Sequence, residues 1–426
     1  MDLRFLRRME LFLKYRHEQW LDRESIERLQ KERLERAVST ASAAPYYGNL
    51  LRGLGLSTGD VTSNPSLLPI TKKEIVKNNR DTFLAPGAVK NRLVHQETSG
   101  SSGTPTDLFF DGSDMNHRAA IFLLIQTEFG RTPFDIYAEI SHASPPPFPL
   151  SALGLFRKLH ISVFEDEKKM FSILKKTRPD IIGWIPSVLT ILAKMNLSDG
   201  RPLSPKSVFC GAEMLTPHRR KFIEDAFSSK VFQLYASTEF AAIAWECPEE
   251  HNLHVNSSTC FVEIVDDNGR PKKSGKGQIV VSSLQNRAMP LLRYALGDLG
   301  SWGGDCSCGR GSPVLKSLEG RIDDFIVLPD GRLRSSFSFD FVEELRSVNA
   351  YQLIQEKEDH FVFRYVPSGG EIDASDVENV TSMIRRGCLG QAVGVEFERV
   401  SSIPRSRSGK LSSVISKIKP KNYGDG

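Results

Sequence analysis

Long apolar segments are missing from this sequence of 426 residues, in which 40% are hydrophobic and 25% are charged. No stretch approaches the roughly 20 apolar residues that a bilayer-spanning helix needs. The basic N-terminus also lacks the apolar core of a secretion signal. We therefore expect no membrane insertion and a cytoplasmic protein. The opening residues, with Arg4, Arg7 and Arg8 among Leu and Phe, predict an amphipathic helix that packs on its own domain.

Cysteine is scarce, with six residues in the whole chain. That number does not make a disulfide scaffold, and it fits a reducing compartment, where neighbouring cysteines more often hold a metal ion.

Charge of either sign is nearly balanced, because 56 Lys and Arg residues face 52 Asp and Glu residues and leave a net charge of +4. So small an excess, without a basic stripe interleaved with aromatic residues, argues against a nucleic-acid-binding module.

Short apolar runs alternate with helical stretches between about residues 90 and 320, which predicts an α/β body with several sheets. The pattern changes beyond residue 323, where two strands, a helix and a further strand predict a compact ββαβ unit. We therefore predict a large N-terminal domain over residues 1–322 and a small α+β domain over residues 323–426, joined by a hinge. The polar tail IPRSRSGKLSS, residues 403–413, predicts an exposed loop.

Two polar segments follow predicted strands. ETSGSSGTPT, residues 97–106, combines glycines, whose backbone N–H groups can approach an anion, with hydroxyl donors, and this suits a phosphate cradle. It lacks the Gly-Lys-Ser/Thr of a Walker motif and could equally be an ordinary loop. LYASTEF, residues 234–240, places hydroxyls beside a carboxylate, which suits a phosphoryl oxygen and Mg²⁺. A strand followed by the N-cap of a helix would show the same sequence pattern.

Three further segments are individually weak. RYALGDLG, residues 293–300, offers a carboxylate after a glycine turn that could accept hydrogen bonds from a ribose, or could simply be a turn residue. SLEGRIDDFI, residues 317–326, lies at the predicted domain boundary, and RSGKL, residues 407–411, holds a lysine in a glycine-containing loop.

In this order and spacing the five segments together resemble the adenylate-forming superfamily of acyl-CoA ligases, adenylation domains and luciferases. The most similar branch is the phenylacetate-CoA ligase group with its capsule-biosynthesis relatives. The segments that resemble this branch in particular are GAEMLT at 211–216, ECPEEHNLHVN at 246–256 and CSCGRGSP at 306–313. The resemblance runs from residue 68 to residue 413 and implies an enzyme that activates a carboxylic acid with ATP through an acyl-adenylate.

The resemblance implies an ATP site built from several segments. The loop at 99–104 would hold the β- and γ-phosphates, although Thr104 stands where the family usually has Lys. Tyr235 would stack on adenine, followed by Ala236 in place of the usual Gly. The residues implied to bind ATP are Ser99, Gly100, Ser101, Ser102, Gly103, Thr104, Gly211, Ala212, Glu213, Tyr235, Ala236, Ser237, Thr238, Asp298 and Arg321.

The resemblance also implies the catalytic parts. Lys410 matches the catalytic lysine, Thr238 would bind the α-phosphate and Glu239 would ligate Mg²⁺. Asp323 matches the hinge position, about which the small domain would swing between adenylate formation and transfer to CoA. A homodimer is expected from the relatives.

Cys306, Cys308, Cys247 and His254 are ligands of the types that Zn²⁺ prefers in structural sites. His251 competes for the fourth position, and spacing alone leaves ordinary reduced cysteines as an equal alternative. The branch resemblance favours a structural zinc ion.

The sequence does not determine which acid is activated or which group accepts it. Phe148 and Trp184 suit an aromatic guest in the pocket, but apolar core residues would look the same. One interpretation is an aryl or arylacetic acid–CoA ligase. The alternatives are an enzyme without CoA, such as a deazaflavin coenzyme adenylating synthetase or a ligase that passes an acyl group to an amine in surface-polysaccharide or natural-product synthesis. A non-catalytic zinc protein with decayed nucleotide motifs is disfavoured, because Thr238, Glu239, Asp298 and Lys410 are all present.

Overall fold

The computed structural model describes residues 3–98, 105–142, 149–321, 325–339, 345–406, 409–411 and 413–418. The α-helices of these residues are α1 (Leu3–Glu18), α2 (Arg23–Ala43), α3 (Pro45–Leu54), α4 (Thr58–Ser63), α5 (Lys73–Asn78), α6 (Gly112–Glu128), α7 (Glu167–Thr177), α8 (Pro186–Leu197), α9 (Pro217–Phe227) and α10 (Ala374–Gly387).

The strands in the same residues are β1 (Val94–Glu97), β2 (Asp107–Phe110), β3 (Tyr137–Ser141), β4 (Lys158–Ser162), β5 (Ile181–Trp184), β6 (Ser207–Cys210), β7 (Lys230–Ser237), β8 (Ala241–Glu246), β9 (Leu253–Val255), β10 (Cys260–Val265), β11 (Lys276–Ser283), β12 (Tyr294–Trp302), β13 (Val314–Arg321), β14 (Phe325–Val327), β15 (Leu333–Ser335), β16 (Val348–Lys357), β17 (His360–Pro367), β18 (Gly394–Arg399) and β19 (Val414–Ser416). Short 3₁₀ turns cover Pro65–Leu67, Arg80–Phe83, Lys90–Arg92, Pro149–Leu153 and Ser336–Phe339.

The chain forms two compact units, and each is built from two separate stretches. Unit 1 takes Met1–Thr132 and Phe232–Leu318, and unit 2 takes Pro133–Val231 and Glu319–Gly426. The domain boundary predicted after residue 322 stays a prediction, and the hinge residue predicted there, Asp323, lies outside the described residues.

Unit 1 combines the N-terminal helices with a sheet whose strand order is β10-β11-β12-β13-β9-β8-β7. Helix α1 packs on α6 and buries Phe5, Leu11, Phe12 and Tyr15 on one face, as its amphipathic sequence predicts. A separate hairpin of β1 and β2 pairs Glu97 with Asp107. The core of the unit is formed by α2, α3 and the inner face of the sheet.

The first stretch of unit 2 is a parallel sheet with strand order β6-β5-β3-β4. Parallel neighbouring strands need long crossover connections, and helices α7 and α8 lie in the connections of this sheet. Asp166 caps α7 by accepting the Lys168 and Lys169 backbone N–H groups, and Pro186 starts α8. Gly183 in β5 allows close packing, because a Cβ there would come within 2.8 Å of the Phe209 ring.

The second stretch of unit 2 holds a four-stranded sheet of order β18-β17-β16-β19, with α10 between β17 and β18. Phe361, Phe363 and Tyr365 alternate along β17 and point into a core that includes Val380 and Ile384 of α10. The predicted ββαβ unit is therefore present, and β19 adds a strand parallel to β16. The α/β body followed by a small α+β unit confirms the predicted fold class.

None of the helices in the described part of the chain is long and apolar enough to cross a lipid bilayer.

Candidate functional site

The Thr238–Glu239 turn joins two paired strands of unit 1. Strand β7 ends at Ser237, β8 begins at Ala241, and these two residues pair across the turn. Arg118 of α6 holds the turn from outside: it donates to the backbone oxygens of Thr238 at 3.0 Å and of Glu239 at 2.7 Å. The two carbonyls are thereby fixed, and the hydroxyl and carboxylate of the turn are left for other partners.

The Arg118 side chain is itself held on two further sides. Its guanidinium lies 3.7 Å from the centre of the Phe110 ring and pairs with Asp114, one helical turn earlier, at 2.5 Å. The Glu239 carboxylate is buried and accepts a hydrogen bond from the Tyr294 hydroxyl at 3.1 Å. Sequence reasoning missed Arg118, because it stands within a helix and belongs to no recognisable motif.

Asp298 lies in an irregular part of β12. Between the pairs Ala295–Val280 and Leu299–Gln278 the register shifts, so that β12 bulges outward at residues 296–298. Gly297 has a φ of +81° there, a conformation that glycine adopts without steric cost. The half-buried Asp298 carboxylate accepts a hydrogen bond from the Tyr235 hydroxyl at 2.7 Å. Unit 1 therefore brings together Tyr235 and Asp298, the residues predicted to bind adenine and ribose.

The predicted residues Gly211, Ala212 and Glu213 follow β6 in unit 2. The Gly211 N–H donates to the Trp184 carbonyl at 2.7 Å, and Ala212 takes a φ of +69°, which is uncommon for a residue with a side chain. Glu213 accepts from the Ser187 N–H at 3.0 Å and from the Ser187 hydroxyl at 3.1 Å, at the start of α8. Trp184 at the end of β5 is half-buried.

Lys410 also belongs to unit 2 and is less exposed than the sequence predicts. The polar tail was expected to be an exposed loop, yet Gly409 is buried and Lys410 is half-buried. The reason is local packing, because Gly409 lies against Val163, which follows β4. The prediction of a freely exposed tail is therefore wrong at these positions.

The described residues do not include every residue of the predicted site. Ser99, Gly100, Ser101, Ser102, Gly103, Thr104, Phe148 and Asp323 lie outside the described residues. The base of the 99–104 loop is nevertheless defined, because the Thr98 N–H donates to the Thr106 carbonyl and the Thr106 N–H donates to the Thr98 hydroxyl, both at 3.0 Å. Arg321 is the last residue of β13.

Four predicted metal ligands meet in unit 1. One ligand atom from each of Cys247, His254, Cys306 and Cys308 lies within 4.8 Å of the others. The Cys247 and Cys306 sulfurs are 3.6 Å apart, and the Cys308 sulfur is 3.4 Å from His254 Nε2. A tetrahedral zinc ion with bonds of about 2.3 Å to sulfur and 2.0–2.1 Å to nitrogen needs separations of about 3.8 and 3.5 Å. The donor set therefore has the chemistry and spacing of a structural zinc site.

The surroundings of these four residues favour metal ligation. His254 Nδ1 lies 3.2 Å from the Ser312 hydroxyl, which orients the ring and leaves Nε2 toward the cysteines. Burial lowers the pKa of His254 to about 4 and so keeps its imidazole neutral, as a ligand must be. Burial raises the pKa of Cys306 to about 12, so that its thiol keeps a proton until a cation replaces it. His251, the competing ligand, lies outside this group and contacts Glu246 at 3.4 Å.

A second group of possible ligands lies on the β1–β2 hairpin, where His95, Glu97 and Asp107 approach one another. The Asp107 carboxylate is already occupied, since it pairs with His95 at 2.7 Å and also with Arg80. We assign no metal to it.

A large mixed sheet followed by a small sheet domain, with a hydroxyl–carboxylate turn at a strand end, is the arrangement of enzymes that form adenylates. Residues 96–287 match the AMP-binding enzyme family, and residues 330–417 match the CapK C-terminal domain. The chain belongs to the AMP-binding, adenylate-forming superfamily. It is accordingly an adenylate-forming ligase, which activates an acid with ATP, and use of CoA is typical of the family.

Two curated relatives are similar over most of their length. The phenylacetate-coenzyme A ligase of Thermus thermophilus is 28% identical over 328 residues, which cover 72% of this chain and 73% of the relative. Protein CapK of Staphylococcus aureus is 24% identical over 411 residues, which cover 92% of this chain and 89% of the relative. Among solved structures, 2-hydroxyisobutyryl-CoA ligase in the postadenylation state has a TM-score of 0.77 at 19% identity, covering 94% of this chain and 91% of that one.

Proposed function

We propose that this enzyme is an aryl or arylacetic acid–CoA ligase that releases AMP and pyrophosphate. Tyr235 and Asp298 bind the adenosine, and Gly211 to Glu213 line the adenine pocket. The loop at 99–104 binds the outer phosphates, and Arg321 lies near the ribose and the phosphates. Further contacts to the nucleotide come from Ala236 and Ser237. Phe148 and Trp184 line the pocket for the acid.

The chemical step follows from the charges involved. A carboxylate oxygen of the acid attacks the α-phosphorus of ATP in line, and pyrophosphate leaves. Negative charge grows on the α-phosphoryl and bridging oxygens, where the Lys410 ammonium and the Thr238 hydroxyl stabilise it electrostatically. Glu239 would hold Mg²⁺, which neutralises phosphate charge when bound. The domain after residue 322 then turns about Asp323, so that Lys410 withdraws before CoA attacks the adenylate.

The observation that carries the proposal is the fixed Thr238–Glu239 turn. Arg118 occupies its carbonyls and Tyr294 orients the Glu239 carboxylate, which leaves a preorganised hydroxyl and carboxylate at a strand end. The hydrogen bond from Tyr235 to Asp298 supports the same interpretation, because it holds a ribose-binding carboxylate beside an adenine-stacking ring.

One observation favours a second candidate. The similarity to Protein CapK extends over 92% of this chain and includes the match to the CapK C-terminal domain. An acid-activating enzyme that passes the acyl group to an acceptor other than CoA, in surface-polysaccharide synthesis, is therefore the alternative. A deazaflavin coenzyme adenylating synthetase has no such observation in its favour. The predicted homodimer and the predicted cytoplasmic location remain predictions.

The test is ATP-dependent AMP release over a panel of aryl and alkyl acids, with and without CoA. We expect release with an aryl or arylacetic acid that depends on CoA for turnover. Lys410→Ala should abolish ATP–pyrophosphate exchange while largely sparing thioester formation from supplied acyl-adenylate. Lys417→Ala, which changes an exposed lysine paired with Glu356, is the matched control. Unchanged exchange in Lys410→Ala would contradict the assignment, and release without CoA would favour the second candidate.

We also propose that Cys247, His254, Cys306 and Cys308 bind one structural zinc ion. The purified enzyme should contain about one equivalent of zinc, and the double variant Cys306→Ser/Cys308→Ser should contain none, because two of its four ligands are lost. His251→Gln is the matched control and should keep its zinc, since His251 lies outside the group. Full zinc content in the double variant, or loss of zinc in the control, would overturn this ligand set.

A further inference from the structure

Ser406 makes three hydrogen bonds within the segment that carries Lys410. The Ser406 N–H donates to the Lys410 carbonyl at 2.9 Å, and the Ser406 hydroxyl accepts from the Lys410 N–H at 3.1 Å. The Gly409 N–H also donates to the Ser406 carbonyl at 2.8 Å. A lysine in so tight a turn has its backbone position set by whatever holds the turn.

Three contacts with the first stretch of unit 2 hold this turn. The first is a shared carboxylate, because Glu213 Oε1 accepts from the Leu411 N–H at 2.9 Å and also binds the Ser187 hydroxyl. Residue 411 follows the lysine directly, and Ser187 stands at the start of α8, three positions after Trp184, which is predicted to line the acid pocket. One carboxylate thus ties the lysine turn to that helix.

The second contact is an ion pair between Arg405 and Glu167, with an N–O distance of 2.9 Å. Glu167 is the first residue of α7, and the Arg405 side chain is only 13% exposed. The Glu167 side chain is 37% exposed, so the pair is shielded on the arginine side and is less weakened by solvent than a pair exposed on both sides. Neither residue belongs to the proposed ATP site, so the pair can be changed without touching the nucleotide.

The third contact is steric. Gly409 has a φ of +82°, and a Cβ at this position would overlap the side chain of the fully buried Val163. The backbone of the turn therefore approaches the end of β4 as closely as only a glycine permits.

We propose that these three contacts, Glu213–Leu411, Glu167–Arg405 and Val163–Gly409, form a latch that positions Lys410 for adenylation and opens before thioester formation. The inference rests on the proposed role of Lys410. It assigns positioning roles to Glu167, Arg405 and Val163, which lie outside the motifs that identified the site. Because adenylation needs the lysine at the α-phosphate and transfer to CoA needs it withdrawn, weakening the latch should slow only the first half-reaction.

The ion pair offers the sharpest test, since its charges can be reversed singly and together. Glu167→Arg and Arg405→Glu should each lower ATP–pyrophosphate exchange about fivefold or more, through kcat rather than the KM for ATP. Thioester formation from supplied acyl-adenylate should stay within twofold of wild type or become faster. The double variant Glu167→Arg/Arg405→Glu should recover most of the exchange rate, because it restores the pair with exchanged charges.

The matched control is Glu165→Arg. It removes a neighbouring, more exposed pair with Lys169, 2.8 Å long, and should change neither half-reaction. A second readout is amide hydrogen exchange of the peptide that contains residues 405–411. Exchange should speed up in both single variants, return toward wild type in the double variant and stay unchanged in Glu165→Arg.

The outcomes separate the two proposals. If no acid supports pyrophosphate exchange but hydrogen exchange follows the expected pattern, the proposed function fails and the latch stands as a structural contact without a role in adenylation. If hydrogen exchange is unaffected by the single variants, or if both half-reactions fall equally and the double variant recovers neither, the latch is overturned.

Discussion

Arg118 connects several parts of the candidate site in unit 1. Its guanidinium donates to two backbone carbonyls of the Thr238–Glu239 turn, pairs with Asp114 and stacks on Phe110. Arg118→Met keeps the length and apolar stem of the side chain but removes the donors. We expect kcat/KM for ATP–pyrophosphate exchange to fall roughly 10- to 100-fold, the equivalent of about one hydrogen bond to a charged group.

The control for this variant is Arg28→Met, which changes an exposed arginine of α2 whose partner is the Ser25 hydroxyl. It should leave exchange unchanged. Circular dichroism and thermal unfolding would establish that Arg118→Met is folded. A folded Arg118→Met enzyme with wild-type exchange would mean that the turn keeps its shape without the arginine.

Sequence reasoning could find Thr238, Glu239 and Asp298, because each lies in a short segment whose residue types suit phosphate, metal or ribose. It could not find Arg118, since the turn that this arginine holds is more than a hundred positions away and its helix carries no pattern of its own. It also left His251 and His254 as rivals. Spacing from Cys247 admits both, and the pairing of β9 with β13 is what brings His254 to the cysteines.

Helices α1 and α6 share a buried polar contact, in which the Tyr15 hydroxyl meets His117 Nδ1. Burial lowers the pKa of His117 from 6.5 to about 4. His117 therefore binds a proton below about pH 6.5 in the unfolded chain, but only below about pH 4 in the folded chain. Stability is lost as the pH falls through this window, and between pH 7 and 5 the loss due to His117 is about 2 kcal/mol.

His117→Asn should remove this dependence, so that its free energy of unfolding falls by about 2 kcal/mol less than that of wild type between pH 7 and pH 5. Urea denaturation at the two pH values measures the difference. His17→Asn is the control, because this imidazole lies on the exposed face of α1 and is solvated before and after unfolding. Equal losses in His117→Asn and wild type would show that the contact does not control the pH response.

Elements with a clear period could be predicted with near-correct bounds. The alternating apolar residues of 351–355 and 361–366 predict two strands that the structure extends to Val348–Lys357 and His360–Pro367. The tail was predicted less well, because its polar composition indicates exposure whereas Gly409 and its neighbours pack on residues some 200 or more positions earlier. Long-range packing of this kind leaves no periodic signal in the segment itself.

The family and the general order of the fold could be predicted for the whole molecule, because five segments in a fixed order carry more information than any one of them. Which stretches of the chain form each of the two units could not be predicted. Unit 1 joins residues 1–132 with 232–318, and unit 2 joins 133–231 with 319–426. Such a division depends on contacts between distant stretches, and composition changes little where the chain passes from one unit to the other.

This interleaving has a consequence during synthesis on the ribosome. The first 132 residues emerge with their helices but without the strands β7 to β13 that complete their core. The last residue of unit 1, residue 318, lies in β13. At about 5–20 residues per second the delay is roughly 10–40 s. Buried positions such as Val38, Tyr47 and Phe83 lack their partners from the sheet throughout that interval. We therefore expect the nascent chain to expose apolar surface that ribosome-associated chaperones bind.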